Sequence, residues 1–175
     1  MTVTPIFWSM INLKGMLKLT NVSNADSQRV IDRAVQLSRI RIYKALGKEL
    51  VDNLTSVTYS DSPGTDEGID RLTAGQLEVS FVRMFLLREL PHFWVNSSPD
   101  QKTYWNDSGF SLPQSQEEHY KELNRLKSDI EQMISDLLGY EADDSILNIM
   151  TIGPEVTPDP PGYSIRNSSS DSEVG

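Results

Sequence analysis

Three stretches between Asn24 and Leu138 repeat apolar residues at helical spacing, each with a recognisable start or stop signal, and the chain closes on PEVTPDPPGYSIRNSSSDSEVG. A helical period commits each stretch to burying one stripe against a partner element. The Pro- and Ser-rich end holds too few apolar residues to order itself. These features predict an all-α protein: a small antiparallel helical bundle with long loops and an extended C-terminal strand or tail. With 175 residues in all, the chain has room for one hydrophobic core. The expected division is an N-terminal arm over 1–23, a helical bundle over 24–144 and a partner-docking segment over 145–175.

The arm carries Pro5, Ile6, Phe7 and Trp8, then a short helical turn around Leu13 to Leu19. From Asn24 the pattern is helical, and Ile31, Ala34, Val35, Ser38, Ile42, Ala45, Leu46 and Leu50 share an arc about 160° wide. Gly47 interrupts that stretch and implies either a bend or the close approach of another element. The acidic, Gly/Pro-bearing run from Tyr59 to Asp70 reads as a loop. A second helix is expected to start at a capping box, Thr73 with Gln76, flanked by Leu72 and Leu77, and to stop near Leu90 because Pro91 follows. The aromatic-rich connection from His92 to Gln114 is expected to pack down on the body. A third helix starts at the box Ser115 to Glu118 and ends before Gly139; Tyr120, Leu123, Leu126, Ile130, Met133, Ile134 and Leu137 form its apolar arc. Ser145 to Ile152 reads as a single strand that needs a partner.

Chemistry-bearing patterns are thin. The chain has no cysteine, which removes disulfides, thiolate ligands and thiol nucleophiles together. His92 and His119 stand far apart, and neither opens a zinc-helix motif. Asp61, Asp66, Glu67 and Asp70 supply oxygens, but at spacings unlike a calcium loop, and a solvated acidic loop is the better reading. No phosphate-cradling glycine loop or nucleophile elbow occurs. The expectation is a protein that is not an enzyme, with no cofactor and no metal. Five Asn-x-Ser/Thr triplets, at Asn21, Asn53, Asn96, Asn106 and Asn167, read as chance, since the N-terminus has no basic leader before a long apolar run. No apolar stretch approaches the ~20 residues of a membrane span, so the chain reads as soluble, and without cysteine a reducing cytoplasm is the simpler home. A formal charge of -9 disfavours general phosphate binding.

The outer faces say more. Arg29, Arg33, Arg41, Lys44 and Lys48 fall in an arc of about 120° opposite the first helix's core, with Val30, Leu37 and Ile40 among them. A mixed basic and apolar stripe is interface-like, although a solvated basic face is the plainer alternative. On the third helix Glu118, Glu122, Asp129 and Asp136 line up opposite its core arc, broken by Arg125. Both stripes are expected to point outward in one molecule, so opposite signs would meet between neighbouring copies, and heterologous contacts of that kind close into rings.

A short N-terminal segment, then NADSQRVIDRAVQLSRIRIYKALGKEL, a loop, LTAGQLEVSFVRMFLLREL, a long helix HYKELNRLKSDIEQMISDLLG and an extended tail make up the chain's order of parts. That order resembles the head-to-tail adaptor (head-completion, connector) proteins of tailed bacteriophages, over roughly residues 12 to 140. The resemblance implies an antiparallel bundle that assembles as a ring, commonly of twelve, beneath the portal, and so a virion protein of the neck assembled in the host cytoplasm. It implies a DNA channel extended without sequence-specific binding, a further neck or tail protein as partner, and no membrane. It also implies that the C-terminal segment docks on the portal, through Ile146, Leu147, Ile149, Met150 and Ile152 and then Pro158, Pro160, Tyr163 and Ile165. The alternative is a small helical regulator or binding module that uses the basic face of the first helix for nucleic acid or an acidic protein partner.

Overall fold

The computed structural model describes residues 3–58, 64–95, 110 and 115–139. Among them the protein is all-α, with five helices and no strand. They are α1 (Met10–Met16), α2 (Ala25–Leu46), α3 (Lys48–Ser56), α4 (Asp66–Val95) and α5 (Gln116–Leu138). No helix among the described residues is long and apolar enough to cross a membrane. The strand expected at Ser145 to Ile152 and the tail after it lie outside the described residues.

The centre of the molecule is α4, which packs against α2, α3 and α5, while α2 and α5 touch only lightly. Its sequence explains the position: Ala74, Leu77, Phe81, Val82, Met84, Phe85, Leu86, Leu87 and Leu90 are all buried and together circle most of the helix. A helix apolar on nearly all sides needs neighbours on more than one side. The flanking helices carry single stripes, Ile31, Ala34, Val35, Ile42, Ala45 and Leu46 on α2 and Leu123, Leu126, Ile130 and Ile134 on α5.

Local signals set three ends as expected. Asn24 Oδ1 accepts the Ser27 N–H at 2.8 Å to cap α2. Ser115 Oγ accepts the Glu118 N–H at 3.1 Å to cap α5, and Gly139 closes that helix at φ 74°, in the left-handed region. At Gly47, φ is 79° and nothing lies within 4 Å of where a Cβ would be, so the bend is real and close approach is excluded. The bend splits the expected first helix: Lys48 and Leu50 belong to α3, out of phase with α2.

Both expected ends of the second helix are corrected. It begins at Asp66, behind Thr65, whose Oγ1 accepts the Gly68 N–H at 3.1 Å. Thr73 therefore sits inside the helix and donates its hydroxyl to the Ile69 carbonyl at 2.9 Å, so the Thr73–Gln76 capping box does not form. The C-terminal limit moves from Leu90 to Val95, because the helix continues through Pro91. A proline inside a helix costs about 3 kcal/mol. Of the connection expected from His92 to Gln114, residues 92–95 belong to α4, and Phe110 is buried as expected.

The N-terminal arm shares this core. Phe7, Leu13, Leu17, Leu19 and Val22 are buried, and α1 is capped by Ser9 Oγ, which accepts the Asn12 N–H at 3.1 Å. Lys14 Nζ donates to the Val22 carbonyl at 2.6 Å and to Gln28 Oε1 at 2.9 Å, tying α1 to the start of α2.

Candidate functional site

The most elaborate polar cluster surrounds Glu78, a fully buried carboxylate midway along α4. Its Oε1 accepts the Ile6 N–H at 2.6 Å and its Oε2 the Phe7 N–H at 2.8 Å. One turn toward the N-terminus of α4, Trp8 Nε1 donates to the Gly75 carbonyl at 2.9 Å. Another turn back, Arg71 Nη2 donates to the Phe7 carbonyl at 2.5 Å, its guanidinium 4.9 Å from the Phe7 ring centre. From α2, Arg39 donates to the Thr4 carbonyl. Residues 71, 75 and 78 follow the three- and four-residue steps that place side chains on one helix face. The arm crosses that face, and its backbone groups are satisfied one by one. Burial pushes the Glu78 carboxyl above the usual carboxylate range, against the opposing pull of the arm's N–H groups and of Arg39. Both carboxylate oxygens are thus engaged by the chain's own backbone. Chemically, the cluster is a latch for residues 4–8.

The second arrangement is a groove of about 680 Å³ between α4 and α5. Gln76, Val79, Ser80 and Arg83 form one side; Arg125, Leu126, Asp129, Gln132 and Met133 form the other. Each set repeats at three or four residues, so the groove runs along both helices. At one end Glu122 accepts from Arg83 at 3.0 Å and from Arg125 at 2.9 and 3.0 Å, and Arg125 reaches Asp129 at 2.8 Å. Arg125 first, then Arg83, hold the Glu122 carboxyl below the usual carboxylate range. Arg83 also lies over the buried Phe110 ring, 5.2 Å from its centre.

No protein-family model, characterised protein or solved structure matches the chain.

The expected interface residues separate into groups. Arg29, Arg33, Ile40 and Lys44 are exposed on α2, and Leu37 is half-buried beside them. Arg29 meets Asp26 at 3.4 Å and Arg33 meets Glu89 of α4 at 3.7 Å, both loose and well solvated. Arg41 does not share that outer arc: it is buried with 9% exposure, near enough to Arg88 of α4 for the two guanidiniums to repel. Lys48, beyond the Gly47 bend, pairs with Asp52 one turn along α3. On α5, Glu118, Asp129 and Asp136 are exposed, whereas Glu122 turns toward α4 and binds Arg83. That corrects the expectation of an acidic stripe facing wholly outward. The docking residues from Ile146 to Ile165 lie outside the described residues. Among the described residues no cluster of three or more metal-ligating side chains occurs, and His119 is half-buried, its imidazole shifted by burial toward the neutral form.

Sequence reasoning missed the latch. Glu78 stands between Leu77 and Val79 like any solvated acid of an amphipathic helix, and only the arm's arrival gives it a role. The one local sign was Gly75, inside a helix without a turn to explain it.

Proposed function

We propose that the chain is a structural neck adaptor of a tailed-phage virion, a ring-forming helical protein that extends the DNA channel under a portal and links head to tail. In this reading α2, α4 and α5 run as an antiparallel bundle, the subunits close into a ring, and residues 145–175 reach the portal as an extended segment. The observation that carries it is the pairing of two outward surfaces. On α2, exposed Arg29, Arg33 and Lys44 flank Ile40, which is 45% exposed. On α5, Asp129 and Asp136 keep exposed carboxylates. The latch adds support of another kind: the best-built polar cluster holds the fold together, which suits a load-carrying part. A net charge of -9 fits a channel wall along which phosphates slide.

The test combines assembly and docking. Negative-stain imaging and native mass measurement of the purified chain should show rings, alone or on a candidate portal. Deleting 154–175 should leave the helical signal intact and weaken portal attachment. Unchanged attachment would remove the docking role.

A second reading, a helical binding module that uses the basic face of α2, is favoured by Lys44, which makes no ion pair among the described residues. Tight duplex DNA binding abolished by modest salt would select it over the adaptor.

A further inference from the structure

We infer that residues 140–146 of the same chain fill the groove between α4 and α5, running back along it as an extended segment from the turn at Gly139. This goes beyond the neck reading and stands whether or not that reading does. It leaves Leu147 as the first residue free to reach a partner.

The groove asks for acceptors. Gln76, Ser80 and Arg83 follow one another at steps of four and three residues along the α4 wall. Among the described residues neither the Gln76 amide nor the Ser80 hydroxyl makes a hydrogen bond, and Arg83 donates only through Nε, to Glu122 at 3.0 Å, which leaves its two terminal nitrogens open. Arg125 Nη2 donates to the same Glu122 oxygen at 2.9 Å, so the two guanidiniums stand side by side. Asp129, the one carboxylate in the lining, is already taken by Arg125 at 2.8 Å. A cationic occupant gains nothing here, whereas a carboxylate meets the open fork of Arg83 and main-chain carbonyls meet Gln76 and Ser80. Val79, Leu126 and Met133 make the rest of the lining apolar.

Chain topology delivers such a segment to the mouth of the groove. Arg83 binds Glu122 near the start of α5, yet Gln76 shares the groove with Gln132 and Met133, so the helices run antiparallel and the Gln76 end lies toward Gly139. Gly139, at φ 74°, ends α5 in the conformation that turns a chain off the helix axis. The next residues, Tyr-Glu-Ala-Asp-Asp-Ser-Ile, lie outside the described residues, and their sequence has the alternation of a half-buried extended run. Tyr140, Ala142, Asp144 and Ile146 share one face of such a run; Glu141, Asp143 and Ser145 share the other. Lengths agree as well. Seven extended residues span about 23 Å, and α5 rises about 21 Å between Arg125 and Gly139. At those rises Ala142 and Met133 both lie about 9–10 Å from Gly139, and Asp144 stops about 4 Å short of Arg125, a gap the two side chains close. Ile146 reaches just past Leu126. The single acid on the inward face therefore arrives at the paired arginines, with apolar residues on either side of it.

The chain has no cysteine, so engineered thiols report the contact directly. Gln76→Cys with Ala142→Cys places one thiol on the groove wall and one on the inward face of the segment. Ser128→Cys with Ala142→Cys is the control, since Ser128 is exposed on α5 but outside the lining. Each full-length variant is checked for wild-type helical signal and oxidised mildly at low concentration; Gln132→Cys replaces Gln76→Cys if that signal is lost. A disulfide within one chain, read as loss of free thiol at monomer mass, should form several-fold faster in the groove pair than in the control. Adding Asp144→Asn to the groove pair should remove most of that advantage. Equal rates in the two pairs overturn the inference, and so does an advantage that Asp144→Asn leaves untouched. Disulfides that form only between chains, when the single variants Gln76→Cys and Ala142→Cys are mixed, also overturn it, by giving the groove to a second copy. Failure to form rings or to attach to a portal counts against the neck reading alone and leaves these rates to decide the groove.

Discussion

A methyl group at position 75 would lie 2.7 Å from the Trp8 indole, with the ring's nitrogen donating to the carbonyl of that same residue. No flexible chain end is available to yield, so Gly75→Ala should displace the Trp8 ring and cost about 1–3 kcal/mol, the usual penalty of overpacking. Urea unfolding would measure the loss, and wild-type stability in the variant would mean that Trp8 is not seated there. Glu78 and Glu122 make opposite predictions for pH. Burial raises the folded pKa of Glu78, so its contribution is whole below the ordinary carboxylate pKa and is lost as pH rises through the raised value. The Glu122 pKa is lowered, by Arg125 first, so its contribution is present above the ordinary value and lost as pH falls through the folded one. Unfolding midpoints measured from about pH 3 to 8, a range that brackets ordinary carboxylate titration, should show Glu78→Gln reducing the decline on the rising side. Glu122→Gln should reduce the decline on the acid side. Parallel curves for all three proteins would contradict both assignments.

Elements differ in how much of their structure is written locally. At α5 both ends are local chemistry, Ser115 before the helix and Gly139 after it, and the sequence reading placed them where the structure has them. At α4 a sound local signature was overruled. Thr73 and Gln76 have capping-box spacing, but the turns before them join the helix, because Thr65 offers an earlier cap and Gly68 is buried. Pro91 misled in a simpler way: an interior proline is a local penalty of about 3 kcal/mol rather than a ban, and the helix runs on to Val95. Substitution separates the two boxes. Ser115→Ala should cost about 0.5–2 kcal/mol, as loss of a working cap does. Thr73→Ala should stay within about 0.5 kcal/mol of wild type or gain slightly, since alanine is the better interior residue. Equal losses at both sites, read by thermal or urea unfolding, would argue that α4 starts later than Asp66.

At the scale of the whole molecule, the sequence revealed the stripes on α2 and α5 but not which of their members turn inward. Arg41 and Glu122 both read as outer residues by angle, and both are drawn toward α4, whose own polar side chains no helical wheel of α2 or α5 contains. The groove was invisible for the same reason, because it needs two helices brought side by side. Assembly should be probed away from those inward residues. Reversing Arg33 and Lys44 to glutamate should weaken ring formation several-fold per contact, since exposed pairs contribute about 0.2–1 kcal/mol each. Asp136→Lys in the same chain should restore part of it. Reversal at Glu122 would instead test the fold, as it parts α5 from Arg83. Native mass spectrometry reads both, and rings indifferent to all these charges would discard electrostatic closure.

The Glu78 latch also dictates an order of events in time. The arm leaves the ribosome before α4, yet the carboxylate that holds Ile6 and Phe7 lies 72 and 71 residues further along. Contacts so distant in sequence carry a large loop-closure cost and tend to form late. Until α4 is made and in place, Phe7 and Trp8 have nowhere to go. The nascent chain therefore carries an exposed aromatic segment until the turns of α4 that hold Glu78 and Gly75 have been made and packed, and the latch closes only then.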